Sequence, residues 1–183
     1  MTATIILLNG TSSSGKTTIA KQLQQQLPTP FMHVQVDTFA EMLPEGFLEN
    51  GDPELRRATG PKLISGYHRA LAALAEAGND LIVDHVIPSP KWFAECVALF
   101  APYRVLFVGV HCPLEELQRR ELARGDRHIG LAEMQFTAVH QHGPYDVAVD
   151  THADSPETCV AAILAAVAGG EETAVSRFHL LPA

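Results

Sequence analysis

The chain has 183 residues, 46% of them hydrophobic and 19% charged, a length and balance that suit one globular domain with a sizeable core and exclude a disordered or fibrous chain. Lys plus Arg number 13 against 21 Asp plus Glu, and the resulting net charge of -8 argues against a nucleic-acid partner, because phosphate-backbone attraction needs the opposite sign. No apolar run approaches membrane-spanning length, and Ile5 to Leu8 is too short for a secretory core and lacks a basic leader, so no membrane partner and a cytoplasmic location are expected.

In chain order, short β-rich runs alternate with longer helical patterns. A strand is predicted at Thr4 to Asn9, then a helix from Gly15 to Leu27, where Ile19, Ala20, Leu23 and Leu27 share a face and Pro28 ends the run. A second strand covers Phe31 to Val36. The segment from Pro44 to Gly66 has weak periodicity and several Gly and Pro residues, and reads as an acceptor-site excursion. A helix follows at Tyr67 to Ala77, closed by Gly78, and then a strand at Leu81 to Asp84. Further helices fit Lys91 to Phe100, Pro113 to Ala123, Leu131 to Val139 and Pro156 to Val167, the last capped by Asp154 or Ser155. The remaining strands are Tyr103 to Val110 and Tyr145 to Val149. Alternation of this kind implies an α/β fold, a five-stranded parallel sheet between helical layers. One domain is expected over 1–170, with an acceptor region near 37–70 and a small lid near 119–131. Residues 171–183 form a C-terminal tail in which Phe178, Leu180 and Leu181 offer a docking face. Homo-oligomerisation is left open. Cys96, Cys112 and Cys159 are odd in number and far apart, and are read as buried small side chains rather than disulfide or thiolate zinc ligands.

Gly10-Thr11-Ser12-Ser13-Ser14-Gly15-Lys16-Thr17 fits the phosphate-loop pattern completely, after an apolar strand and before an amphipathic helix. Its glycines let backbone N–H groups curl round phosphates, and the helix N-terminus adds positive potential. The nucleotide-binding set is Gly10 to Gly15 with Lys16, Thr17 and Thr18. Lys16 is expected to reach the β- and γ-phosphates of ATP, and Thr17 to offer its hydroxyl to Mg²⁺.

Two strands end in carboxylates. Asp84 suits the Mg²⁺ shell, against the alternative of a turn or cap residue, and His85 beside it reads as a supporting residue. Asp37 suits the proton acceptor or orienter of an incoming hydroxyl, against the alternative of a cap for a helix over Thr38 to Leu43. Arg119, Arg120, Arg124 and Arg127 lie in and just beyond a helix, and the Gly125 hinge would let a flap carry guanidinium groups onto phosphates. A solvated charged helix is the competing reading for Arg119 and Arg120. Phe39, Met42, Leu43 and Phe47 are candidates for an apolar acceptor pocket, with helix packing the competing use. The nine His residues make no metal-ligand spacing.

With these residues in view, the chain resembles the chloramphenicol phosphotransferase family of P-loop small-molecule kinases. The likeness runs through Ile5 to Gly10, the phosphate loop, Val36-Asp37, Asp84 and Val108 to Cys112. It is most specific at Ala123 to Arg127 and Tyr145 to Thr151. The resemblance implies a kinase-type sheet, ATP with Mg²⁺, Asp37 as acceptor-side base, Arg124 and Arg127 as lid residues over the phosphates, and Val149 to Asp154 as the adenine-side loop. It also implies transfer of the γ-phosphoryl group to a hydroxyl of a small molecule, in that family the primary hydroxyl of chloramphenicol, an antibiotic. The region from Pro44 to Gly66 departs from the family pattern. A metabolic kinase for a sugar, acid or nucleotide, with Arg56, Arg57 and Arg69 on an anionic acceptor, is the second reading, and a nucleotide-binding regulatory module without transfer is the third.

Overall fold

The structure is a computed structural model and describes residues 2–125 and 129–169. Five strands, β1 (Thr4–Asn9), β2 (Phe31–Gln35), β3 (Asp80–His85), β4 (Arg104–His111) and β5 (Val147–Asp150), form one sheet in the order β2-β3-β1-β4-β5 with parallel pairing throughout. Parallel strands need crossovers, and these are the helices that cover both faces.

Alternation along β1 sorts the two core layers. Ile5 and Leu7 face a layer that holds Tyr67, Leu71, Phe93, Val97 and Phe100, from α4 (Pro53–Glu76) and α5 (Pro90–Phe100). Ile6 and Leu8 face the opposite layer, with Ile19 and Leu23 of α1 (Lys16–Gln26) and Val160 and Ile163 of α8 (Pro156–Gly169). A smaller cluster of Cys112, Leu117 and Ala132 joins α6 (Leu114–Arg124) to α7 (Leu131–Phe136). Two short helices, α2 (Val36–Ala40) and α3 (Phe47–Asn50), precede α4. Cys96, Cys112 and Cys159 are buried free thiols, as expected.

The structure corrects several expected bounds. The second strand stops at Gln35, so Val36 and Asp37 open α2. The segment from Pro44 to Gly66 is no open excursion: α4 starts at Pro53 and runs 24 residues. The Asp52 carboxylate accepts from the Glu54 and Leu55 amides at 2.9 and 3.0 Å, and Pro53 sits in the first turn where no N–H is needed. The helix continues through Pro61, which lacks the N–H for one internal bond, and buries Ile64, Tyr67, His68, Leu71 and Ala75 beyond it. At its other end α4 closes as expected, with Gly78 at φ 91° and the Asn79 amide reaching back to the Leu74 carbonyl at 3.2 Å. Tyr145 and Asp146 precede β5 and are not part of it. Asp146 nonetheless holds Phe107 of β4 twice, backbone N–H to carbonyl at 2.9 Å and carboxylate to backbone N–H at 2.8 Å. Ser155 caps α8 through the Thr158 amide at 3.3 Å.

Among the described residues no helix is long and apolar enough to cross a membrane. Arg127 and residues 171–183 lie outside the described residues, so the expectations placed on that arginine and on the tail have no structural account.

Candidate active site

The site forms where β1 ends. Gly10 must be glycine: a Cβ there would stand 2.4 Å from the Val110 carbonyl oxygen and 2.8 Å from the Ser14 hydroxyl. Ser13 and Gly15 take left-handed φ values of 65° and 93°, and α1 begins directly after them. That turn followed by a helix N-terminus makes a concave run of amide donors suited to phosphate oxygens.

Lys16 lies in this concavity, buried. Its ammonium donates to the carbonyls of Gly10 at 2.9 Å and Thr11 at 2.7 Å and to the Ser14 hydroxyl at 3.5 Å. Sheet register brings the carboxylate to it, because Leu8 pairs with Asp84 between β1 and β3 and puts the Asp84 oxygen 3.9 Å from Lys16 Nζ. The Thr17 hydroxyl donates to the other Asp84 oxygen at 2.7 Å. Burial acts to raise the Asp84 carboxyl, but the Lys16 ammonium, the neighbouring His33 and the Thr17 hydrogen bond together outweigh it and hold the group below the usual carboxylate range. Asp84 is therefore ionised and its neighbour's hydroxyl hydrogen is engaged, which leaves Thr17 with lone pairs for a cation. The residues present thus fit a hard divalent ion held by oxygen.

β2 lies on the far side of β3, with Gln35 opposite Asp84, so the turn into α2 carries Asp37 to the rim of the same cleft. The cleft has a volume of about 690 Å³. Of the residues expected at the site it is lined by Ser12, Ser13, Gly15, Lys16, Thr17, Thr18, Asp37, Asp84 and Arg124; Gly10, Thr11 and Ser14 are buried and not in its lining, and Arg127 lies outside the described residues. Arg119 is largely exposed and held bidentately by Glu116 at 2.7 Å, and it also borders the cleft. Arg120 does otherwise, with Nε on Glu116 at 2.7 Å and its two terminal nitrogens on Thr151 Oγ1 at 3.0 Å and Thr151 O at 2.9 Å. Thr151 donates in turn to the Ser14 carbonyl at 2.8 Å, so α6, the loop after β5 and the phosphate loop are tied together.

The acceptor half differs from expectation. Phe39 packs edge-on against Tyr67 in the core, Met42 is 71% exposed, and Leu43 and Phe47 border a second hollow that shares Asp37 with the cleft. Ile64, Pro88, Trp92 and His85 are further lining residues of the cleft. Arg56 and Arg69 turn away from it, the first to the Leu48 carbonyl at 2.9 Å and the second to the Ser65 hydroxyl at 3.4 Å, and Arg57 is exposed. Lys16, Arg119, Arg120 and Arg124 are the basic side chains among the described residues that line the cleft.

Sequence reasoning missed three supports. Buried Asn9 donates to the Val139 carbonyl at 2.8 Å and the Tyr145 hydroxyl at 3.0 Å, and accepts from the Ile87 amide at 3.0 Å. Glu121, also buried, accepts from the Gly130 amide at 2.8 Å and the Ala132 amide at 3.1 Å. Gln135 accepts from the Ser12 amide at 2.8 Å. A polar residue at a strand end or inside an amphipathic face was the available signal.

Residues 3–168 match the family model described as chloramphenicol phosphotransferase-like protein. A Mycobacterium tuberculosis protein named "Putative O-phosphotransferase Rv2636" is 35% identical over 169 residues, spanning 81% of this chain and 75% of the relative. Among solved structures, an unliganded sugar kinase from Janibacter is similar at TM-score 0.68 and 20% identity, over 92% of this chain and 95% of the other. The Mycobacterium tuberculosis APS kinase in complex with AMPPNP and APS is similar at TM-score 0.68 and 16% identity, over 91% and 98%. These two likenesses establish the kinase-type P-loop fold.

Proposed function

The chain belongs to the chloramphenicol phosphotransferase-like family, and from that premise we propose how its cleft works as a kinase-type O-phosphotransferase. The nucleotide is ATP, with its phosphates on the amides of the loop from Gly10 to Gly15 and Lys16 moving from the loop carbonyls to the β- and γ-phosphates. The Thr17 hydroxyl, with Asp84 behind it, would hold Mg²⁺, which would supply positive charge against the phosphates. Thr18, at the first turn of α1, contributes to the same phosphate cradle.

Asp37 orients the acceptor hydroxyl and takes its proton. The hydroxyl oxygen forms a bond to the γ-phosphorus, the bond from that phosphorus to the β–γ bridging oxygen breaks, and ADP leaves with the bridging electron pair. Arg124, and Arg127 outside the described residues, offset charge on the transferring group, and closure of the segment near 119–131 keeps water from it. The observation that carries this reading is the convergence of Lys16, Thr17 and Asp84 with Asp37 on one cleft.

We favour an uncharged hydroxylated acceptor with an apolar body, because Ile64, Pro88 and Trp92 line the cleft while Arg56 and Arg69 are bonded elsewhere. Chloramphenicol belongs to that class, and an anionic acid or nucleotide does not. Incubation with ATP, Mg²⁺ and chloramphenicol, beside a panel of sugars, acids and nucleosides, is read by mass spectrometry. A phosphorylated uncharged acceptor is expected. Turnover confined to anionic acceptors would reject the acceptor class, and ADP formation without any phosphorylated product would reject transfer.

A further inference from the structure

The peptide unit between Thr11 and Ser12 is held at both ends. Its carbonyl accepts from Lys16 Nζ at 2.7 Å and from the Ser14 amide at 3.2 Å, and its N–H donates to Gln135 Oε1 at 2.8 Å. Lys16 and Ser14 lie within five positions of Thr11, whereas Gln135 is 123 positions from Ser12. Thr11 and Ser12 are buried, and among the described residues the Ser12 N–H meets no other acceptor. Without Gln135 that donor would be buried and unpaired, a cost that turning the peptide unit toward water would relieve.

Gln135 is itself fixed. It belongs to α7, whose Ala132 and Phe136 pack with Cys112 and Leu117. The amides of Gly130 and Ala132 at the start of that helix donate to buried Glu121 of α6 at 2.8 and 3.1 Å. The Ser12 amide can only donate, so the Gln135 atom that meets it is the oxygen, and the partner settles the orientation of the side-chain amide.

Gln135 also borders the cleft, so two uses of this bond compete. Its oxygen either stands in for a phosphate and blocks the loop, or holds the loop in shape from outside. Peptide geometry favours the second. The unit is trans, so its carbonyl and its N–H point in opposite directions. Lys16 is on the carbonyl side, so Gln135 grips the unit from the side away from the ammonium. The two bonds also reinforce each other, because the ammonium polarises the peptide and makes its N–H a stronger donor.

We propose that Gln135 is a positioning residue of the nucleotide site, which holds the Thr11–Ser12 peptide unit so that its carbonyl seats Lys16, and through which the α6–α7 pair sets the shape of the phosphate loop. The proposal rests on the kinase reading above for the loop's ligand. Gln135 acts on the phosphates through the loop and touches neither the adenosine part of the nucleotide nor the acceptor.

The test uses the full chain labelled with nitrogen-15. Gln135→Met keeps the length and removes the acceptor, Gln135→Asn withdraws it by one methylene and serves if the first variant does not fold, and Gln135→Glu keeps an acceptor. The Ser12 amide should exchange slowly with water in the wild type and in Gln135→Glu, and about tenfold or more faster in Gln135→Met and Gln135→Asn. By calorimetry with Mg²⁺, the same two variants should bind AMPPNP about tenfold more weakly and adenosine, which has no phosphates, within about twofold of wild type. In transfer assays KM for ATP should rise about tenfold and KM for the phosphorylated acceptor should stay unchanged. Equal losses for AMPPNP and adenosine would show a general loosening of the cleft, tighter AMPPNP binding would show that Gln135 blocks the loop, and Ser12 exchange indifferent to both variants would show that the bond is not made. Each of these would overturn the proposal. The expected Ser12 response and the expected split between AMPPNP and adenosine, without any phosphorylated product, would instead reject the kinase reading and leave the role of Gln135 standing.

Discussion

Lys16 satisfies its ammonium on the carbonyls of its own loop and stands 3.9 Å from Asp84, while Thr17 gives its hydroxyl hydrogen to the same carboxylate. These three side chains form one electrostatic unit, in which a phosphate replaces the carbonyls for Lys16 and a cation uses the free lone pairs of Thr17. Thr17→Val keeps the volume and removes the hydroxyl, so the Mg²⁺ concentration for half-maximal transfer should rise about tenfold or more, read from rate against Mg²⁺ at fixed ATP. An unchanged Mg²⁺ dependence would remove Thr17 from the cation shell. Lys16 and Thr17 were legible because the phosphate loop is a local object, written in eight consecutive residues. Asp84 and Asp37 were legible as strand ends only, since their place beside the loop depends on the pairing of Leu8 and Gln35 with Asp84. Asn9, Glu121 and Gln135 were not legible as supports. Their partners are set by tertiary contacts such as Asn9 with Tyr145, 136 positions away.

Strands and helices place these side chains, and their tolerances are tight at one crossing. Gly109 of β4 lies under the ring of Tyr145, where a Cβ would approach ring atoms at 2.5 to 2.8 Å. The ring cannot swing away freely, because its hydroxyl bonds Asn9 at 3.0 Å and His140 at 2.6 Å. Gly109→Ala should therefore destabilise the fold by about 1–3 kcal/mol in urea unfolding, and wild-type stability would show that the segment before β5 yields. The alternation of strands and helices gave the architecture away, since parallel strands buried on both faces read as continuous apolar runs. The first half of α4 stayed hidden for a physical reason. Gly60, Pro61 and Gly66 break the apolar period, and an exposed helix turn shows no period to find. Asp52-Pro53 was the overlooked start signal, a cap followed by a residue preset for the first turn. The β2 bound was one residue long because Val36 favours a strand by type, whereas the chain turns there to bring Asp37 to the cleft.

At the scale of the molecule, buried imidazoles couple stability to pH. Burial is the main cause that lowers His68, His85 to about 3 and His140 to about 4, against an ordinary value of 6.5. A histidine whose folded value is depressed binds its proton first in the unfolded chain. Stability should thus be complete above 6.5 and fall as pH drops from there toward the folded values. Asp84 acts in a lower window, with its contribution lost only as pH falls through its depressed carboxyl value. Between about pH 7 and about pH 5 the thermal midpoint should drop by at least about 5 °C, and a flat profile would mean these rings are charged or solvated. The central claim is that one cleft binds the nucleotide through the phosphate loop and delivers its phosphoryl group to a hydroxyl held by Asp37. Its most direct test is the transfer rate of Asp37→Asn measured beside its ATP affinity by calorimetry. Transfer should fall by about 100-fold or more while ATP affinity stays within about threefold of wild type. Transfer near the wild-type rate, or loss of ATP binding in step with transfer, would contradict the assignment.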